Sequence, residues 1–356
     1  MLGDGPGVQA APGGLITTAG PNRVSIRAAR ASVLCAALGL VVSCCGGSPA
    51  GRTGAGPTTT RVARSTTSST YQVPPVASTT TSAPTPVASA ARPCGGTPTA
   101  PAHYQHVVWI WMENHTWGDV FGNPSAAYLN TLAGKCGTDS DYASVGSPSL
   151  PNYLGATSGS TQGVADDGDP SVHAFTVDNL FRQVRTAGGT ERSYVESMPS
   201  SCSLVSTGSY AAKHNPAVYY VGVGDRAACQ ADDLPFTALS SVLGGGQLPT
   251  FTSITPNVCD DMHDCPVATG DQWLATWVPK ILDTASYRDG TTALFIVWDE
   301  PTQLADVVVA PSVRPGTVSG AAVNHYSLLR ATEEMLGLPL LAQAAVATDL
   351  RSALGV

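Results

Sequence analysis

The sequence predicts an α/β domain built on a mostly parallel central sheet and carried on a low-complexity N-terminal tether. Three observations predict it. Predominantly apolar runs of strand length occur at 107–112, 292–298 and 305–310, as expected of strands covered on both faces. Helix-like segments separate these runs, the alternation that builds a parallel sheet. From Gly46 to about Pro93 the chain is nearly all Thr, Ser, Pro, Ala and Gly, a composition that cannot bury enough apolar surface to fold.

In chain order, Arg23, Arg27 and Arg30 precede an apolar run, Ala31 to Val42, that is too short to cross a bilayer and has the size of a signal-peptide core. Export is therefore predicted. The run ends in Leu40-Val41-Val42-Ser43-Cys44, which resembles the lipobox of bacterial lipoproteins. Cys44 would then become the lipidated first residue, tying the chain to the outer face of the cell membrane. An ordinary signal peptide cut nearby, giving a secreted product, is the alternative. The residues before Arg23 are unlike an n-region, and Val24 is an alternative initiator. These signals divide the chain into a signal peptide with lipobox over 1–44, a Thr/Ser/Pro-rich disordered linker over 45–102, one domain over 103–343 and a C-terminal tail over 344–356.

A formal charge of −8 and only three lysines leave no basic face to neutralise a phosphate backbone, which excludes a nucleic-acid partner. The same balance admits a small phosphorylated substrate when a divalent cation supplies the local positive charge. Besides Cys35, Cys44 and Cys45 the chain holds Cys94, Cys136, Cys202, Cys229, Cys259 and Cys265. An even count in an exported chain favours disulfides. Spacing ranks Cys259 with Cys265 first and Cys202 with Cys229 second, leaving Cys94 with Cys136. No two are spaced Cys-x2-Cys, as a zinc cluster would want.

Within the domain, Val107 to Met112 is the first strand. Helices are predicted over Ser125 to Lys135 and, after a turn at Ser149, over Asn152 to Ser158. Strands at Thr250 to Thr255 and Thr292 to Trp298 flank a helix over roughly Gly270 to Ser286, and Ala305 to Ala310 is a further strand. The last helix starts at Asn324, a good N-cap, places Leu328, Leu329, Thr332, Met335 and Leu336 on one face, and ends at Gly337.

Ligands of open α/β sheets sit beyond the carboxyl ends of the strands. Three polar groups fall at such places: Glu113-Asn114-His115, Ser149 in the run Pro148-Ser149-Leu150-Pro151-Asn152, and Asp299-Glu300. Carboxylate and carbonyl oxygens are the donors that Mg²⁺, Ca²⁺ or Mn²⁺ prefers. Each group alone reads better as a loop or turn. Their conjunction, in this order, points to a site.

With these groups, the motifs Met112-Glu113-Asn114-His115, Pro148 to Tyr153, Ser158 to Gly163, Lys213-His214-Asn215-Pro216, Asp261-Met262-His263-Asp264, Trp298-Asp299-Glu300 and Asn324-His325-Tyr326-Ser327 appear in sequence. The chain thereby resembles, from His106 to about Leu338, the bacterial phosphoesterase family of phospholipase C-type enzymes and secreted acid phosphatases. That family lies within the alkaline phosphatase superfamily. The resemblance implies an alkaline-phosphatase-like three-layer sandwich in which Glu113, Asn114, Asp299 and Glu300 bind a divalent metal ion. Ser149 would bridge that ion and attack phosphorus, giving a phosphoseryl enzyme that water hydrolyses. Coordination to a cation activates a serine without a neighbouring base.

Asn152 is expected to donate its amide to a phosphoryl oxygen, or else to cap the next helix. His263 and His325 are expected as leaving-group acid, phosphate donor or additional metal ligand. Lys213 and His214 read as contacts to a phosphate or polar head group, or as a solvated surface pair. Two departures from the family stand out. Ser147 occupies a position where relatives commonly carry histidine, and the segment from Pro301 to Ala305 is short.

The implied activity is that of a monomeric, exported phosphomonoesterase acting on small organic phosphates or phosphoinositide head groups. The alternatives are a phospholipase C-type phosphodiesterase and a surface lipoprotein that binds without catalysis.

Overall fold

A computed structural model describes residues 87–356. The signal peptide, Cys44 and the linker as far as residue 86 lie outside the described residues. Ten strands are described, β1 (His106–Met112), β2 (Gly137–Asp139), β3 (Tyr142–Ala143), β4 (Glu191–Val195), β5 (Asp233–Pro235), β6 (Phe251–Thr255), β7 (Thr292–Trp298), β8 (Asp306–Val309), β9 (Thr317–Ser319) and β10 (Val323–Asn324). Eight of them form one sheet in the order β5-β4-β6-β1-β7-β8-β2-β9, while β10 and β3 pair separately. From β5 to β7 every pairing is parallel, and β1 lies at the centre of the whole sheet. The strand foreseen over 305–310 runs antiparallel to its neighbour, Val297 pairing with Asp306, because only a short connection separates it from β7.

The composition of β1 explains the three layers. Alternate residues of a strand face opposite sides. Trp109 donates its indole N–H to Thr332 Oγ1 at 3.0 Å, and Trp111 packs on Tyr153 and His325, so this face meets the helices Ser149–Ser158 and His325–Leu336. Val108, Ile110 and Met112 face the other way and are equally buried. The second helical layer includes Ala127–Lys135 and Val267–Leu282, joined where Asp271 accepts the Tyr128 and Leu129 N–H groups.

Local chemistry moved several element ends. Asn123 caps a separate 3₁₀ turn, Pro124–Ala126, ahead of the helix expected from Ser125. Thr284 caps its own short helix, so the segment expected to run to Ser286 ends at Leu282. Asn324 does cap His325–Leu336, with Ser327 completing the capping box and Gly337 closing the helix in a left-handed conformation at φ 68°.

The packed body extends beyond 103–343 at both ends. On the linker side Ala88 and Cys94 are buried, Gly96 N–H donates to Pro311 O at 2.8 Å, and Cys94 is bonded to Cys136. At the other end, Leu350 and Leu354 lie one helical turn apart and are buried. The disulfides Cys202–Cys229 and Cys259–Cys265 complete the pairing that spacing ranked first.

Glu333, fully buried on the helix His325–Leu336, accepts the Leu341 N–H at 3.0 Å. Burial is the main reason its carboxyl is pushed up to about 8. Folding therefore favours the protonated form. The stability it contributes is fully present below the free carboxylate range and is lost as pH rises toward 8. Glu333→Gln is expected to flatten the fall in thermal midpoint between about pH 5 and about pH 9. Parallel pH profiles for variant and wild type would contradict this.

Candidate active site

Three carboxylates meet at the carboxyl ends of the central strands. The main-chain ladder continues past the strands: Glu113 N–H donates to Asp261 O at 2.8 Å, and Asp299 N–H donates to Met112 O at 3.2 Å. This fixes Glu113 after β1, Asp299 after β7 and Asp261 in the loop after β6, all with no exposed surface. Asn114 takes a left-handed φ of 58° that turns its N–H onto Asp299 Oδ1 at 3.1 Å. All three acids are raised above the usual carboxylate range, chiefly by burial; for Glu113 the charges of Asp299 and Asp261 add to it.

Sequence reasoning treated His214 as half of a possible surface pair. It is instead buried in this cluster, with Nε2 3.2 Å from Glu113 Oε1 and Nδ1 3.3 Å from Asp261 Oδ2. Burial, then the nearby Lys213 and His263, lower its pKa and hold the ring neutral. His214 Nε2, Asp261 Oδ2 and Asp299 Oδ2 are buried without a hydrogen-bond partner. Converging buried donors that do not satisfy one another are what a divalent cation requires. The residues therefore fit the expected ion. Two donor sets share Glu113: one continues to Asp299 and Ser149, and the other joins His214 and His263, whose ligand atoms lie within 4.8 Å of one another. Asn114 is exposed and Glu300 half-buried, so their side chains border the buried acids on the solvent side.

Ser149 opens the helix Ser149–Ser158 instead of preceding it. Its Oγ donates to Glu113 Oε2 at 3.3 Å, and Tyr153, one turn on, donates its hydroxyl to Glu113 Oε1. The loop before the serine lies flat on this helix. A Cβ on Gly146 would sit 2.7 Å from Pro151, and one on Gly155 would sit 2.6 Å from Val145. Asn152 holds that loop. Its Oδ1 accepts the Val145 and Gly146 N–H groups, both at 2.9 Å, and its Nδ2 donates to Gly146 O at 3.0 Å. The amide expected to meet a phosphoryl oxygen is thus committed to the loop, and it caps no helix.

His325 is likewise committed. One ring nitrogen meets the Tyr142 hydroxyl at 3.1 Å and the other the Asp299 main-chain oxygen at 2.7 Å. Burial lowers its pKa to about 4, so the ring is neutral. It holds Asp299 in place and is not free to take a ligand or donate to phosphate. His263 is more open, with Nδ1 2.7 Å from Asp264 and Nε2 3.5 Å from Lys213 Nζ. Lys213 is also paired, to Asp167 at 2.8 Å. The short segment after Asp299-Glu300 is tied down by bridges from Thr302 to Ala143 and from Leu304 to Thr116.

A model of the Phosphoesterase family matches residues 127–328. A phosphatidylinositol-3-phosphatase from Mycobacterium tuberculosis is 32% identical over 66% of this chain and 78% of its own length. An acid phosphatase from Aspergillus fumigatus is 27% identical over 65% of this chain and 55% of its own. Among solved structures, a Bacteroides thetaiotaomicron protein from work on the metabolism of multiple glycosaminoglycans superposes with a TM-score of 0.51, at 10% identity over 72% of this chain and 82% of that one, a likeness of fold. Buried acids at three strand-end positions, a serine at a helix start and these matches agree: the chain belongs to the phosphoesterase family, hydrolases of phosphoric ester bonds.

Proposed function

We propose that the chain is an exported, metal-dependent phosphomonoesterase that acts through a phosphoserine at Ser149, on small organic phosphates or phosphoinositide head groups. The observation that carries this reading is Ser149 Oγ, held at a helix start against Glu113 in a buried acid cluster with unpartnered oxygens. The similarity to proteins named phosphatidylinositol-3-phosphatase and acid phosphatase supports monoesters over diesters.

A divalent cation held by Glu113, Asp299 and their neighbours would supply the positive charge that makes a serine alkoxide accessible and offsets charge gathering on the phosphoryl oxygens. This chain's residues do the rest. Tyr153 and His214 orient Glu113, and His325 orients Asp299. Asn152 keeps the loop before Ser149 clear of the hydroxyl. Ser149 Oγ forms the bond to phosphorus as its own O–H bond and the ester bond to the leaving oxygen break; the serine proton passes to solvent, and His263, open to solvent and braced by Asp264, gives a proton to the leaving oxygen. Water then cleaves the phosphoserine and releases phosphate. Through a lipid on Cys44 the enzyme would stand at the outer face of the membrane, or, cut elsewhere, it would be secreted.

Para-nitrophenyl phosphate is expected to be hydrolysed faster than its phosphorylcholine diester, with activity lost to chelator and reduced about a thousandfold or more in Ser149→Ala. Turnover of the diester alone, or equal rates in the variant, would overturn the reading. Because Asp299 is pushed up to about 6, largely by burial, the cation must displace protons. Adding Mn²⁺ or Mg²⁺ to the chelated protein is expected to raise its thermal midpoint and release protons, with affinity increasing as pH rises through about 6. A midpoint indifferent to every divalent ion would count against the site. Mass spectrometry of the mature protein is expected to find diacylglycerol on Cys44; a free terminus elsewhere would reject lipidation.

A further inference from the structure

The helix that begins at Ser149 has no cap from its own N-cap residue, Pro148. The cap comes from Asp167. Its Oδ1 accepts the Leu150 N–H at 3.0 Å, and its Oδ2 accepts from Lys213 Nζ at 2.8 Å. A cap needs only one oxygen. Here the second engages an ammonium whose Nζ also lies 3.5 Å from His263 Nε2. Leu150 directly follows the nucleophile, so whatever occupies its N–H stands beside Ser149 Oγ. A helix-start N–H one residue after the attacking serine, and an ammonium that shares the same carboxylate, are the donors that a phosphoryl group takes.

The carboxylate is held there deliberately by its loop. Asp166 accepts the Gly168 N–H at 2.8 Å, and the Tyr219 hydroxyl donates to Gly168 O at 3.0 Å. The Asp167 and Lys213 side chains keep 27% and 23% of their surface exposed, so an incoming group can reach the pair.

We infer that Asp167 is an internal competitor for substrate: its carboxylate occupies the phosphoryl seat beside Ser149, and a substrate must displace it from Leu150 N–H and Lys213. This rests on Ser149 being the nucleophile. An entering group competes with one full negative charge for the same two donors. Displacing it adds the same cost to every entering phosphoryl group, monoester or diester alike. Asp167 thereby lowers the affinity for phosphoryl groups as a class.

The test uses the full chain with Mn²⁺ bound, comparing wild type with Asp167→Asn, in which an amide oxygen can keep the Leu150 contact while the charge opposite Lys213 is removed. Inorganic phosphate, followed by calorimetry, is expected to bind about 10-fold tighter in the variant. The kcat/KM for para-nitrophenyl phosphate is expected to rise by about the same factor. Phosphate binding that is equal or weaker in a variant with a wild-type thermal midpoint overturns the inference, as a purely structural cap would give. Should the Asn variant lose its folding transition, Asp167→Ser carries the same comparison. A wild type that hydrolyses neither ester, beside a variant that binds phosphate more tightly, would refute the proposed function and leave the role of Asp167 in the seat standing.

Discussion

Burial of three carboxylates side by side is the constraint around which the rest of the molecule is arranged. An ionised carboxylate taken out of water costs several kcal/mol unless it is paired, and Glu113, Asp261 and Asp299 share one fully buried cluster. The sheet enforces their proximity, because hydrogen bonds from Glu113 N–H and Asp299 N–H extend the strand ladders directly into the acids. Partial compensation comes from main-chain donors, Asn114 N–H on Asp299 and His263 N–H on Asp261, and from Ser149 and Tyr153 on Glu113. Oxygens of Asp261 and Asp299 remain unpartnered. A fold optimised for stability alone would not keep them, whereas a site that gathers a cation needs them.

Around this cluster the polar residues divide between those that face the reaction and those that hold such residues in place. Asn152 and His325 belong to the second group, for a reason visible in their valences. Asn152 spends its carbonyl on two N–H groups and its amide on the loop, and His325 has a partner on each ring nitrogen. Side chains with no free donor or acceptor cannot also meet substrate without breaking the loop or releasing Asp299. His263 and Lys213 keep partly exposed surfaces and lie on the open side.

The strand frame was legible in the sequence because a strand covered on both faces must be largely apolar, and β1 and β7 are apolar after their first residues, His106 and Thr292. The acids directly after them were legible because in a parallel sheet the residue following such a run falls at the site edge. Asp261 and His214 were not, although both stand in motifs that the chain shares with its family. Neither follows an apolar strand directly: His214 closes a 3₁₀ turn, Ala212–His214, and Asp261 lies in the loop between two cysteines. No periodicity marks such positions as buried. Asn152 was misread for a related reason. Propensity placed the helix start after Ser149, and starting it three residues earlier moves Asn152 from a capping position into the first turns, against the loop.

These two halves of the site also differ in how they are held. Glu113 and Asp299 extend from central strands and need no covalent help, since the ladder and core fix them. The loop-borne half lies off the central strands, and there two of the three disulfides lie. Cys259–Cys265 closes the short loop that carries Asp261 and His263. Cys202–Cys229 pins the segment leading to Lys213 and His214 against the helix Asp225–Asp232, beside Asp233, to which Asn215 donates at 2.9 Å directly after His214. A cross-link restricts the open conformations of a loop more than it adds contacts in the closed one. Its effect here is to hold imidazole and ammonium groups at fixed distance from acids that the sheet has already placed.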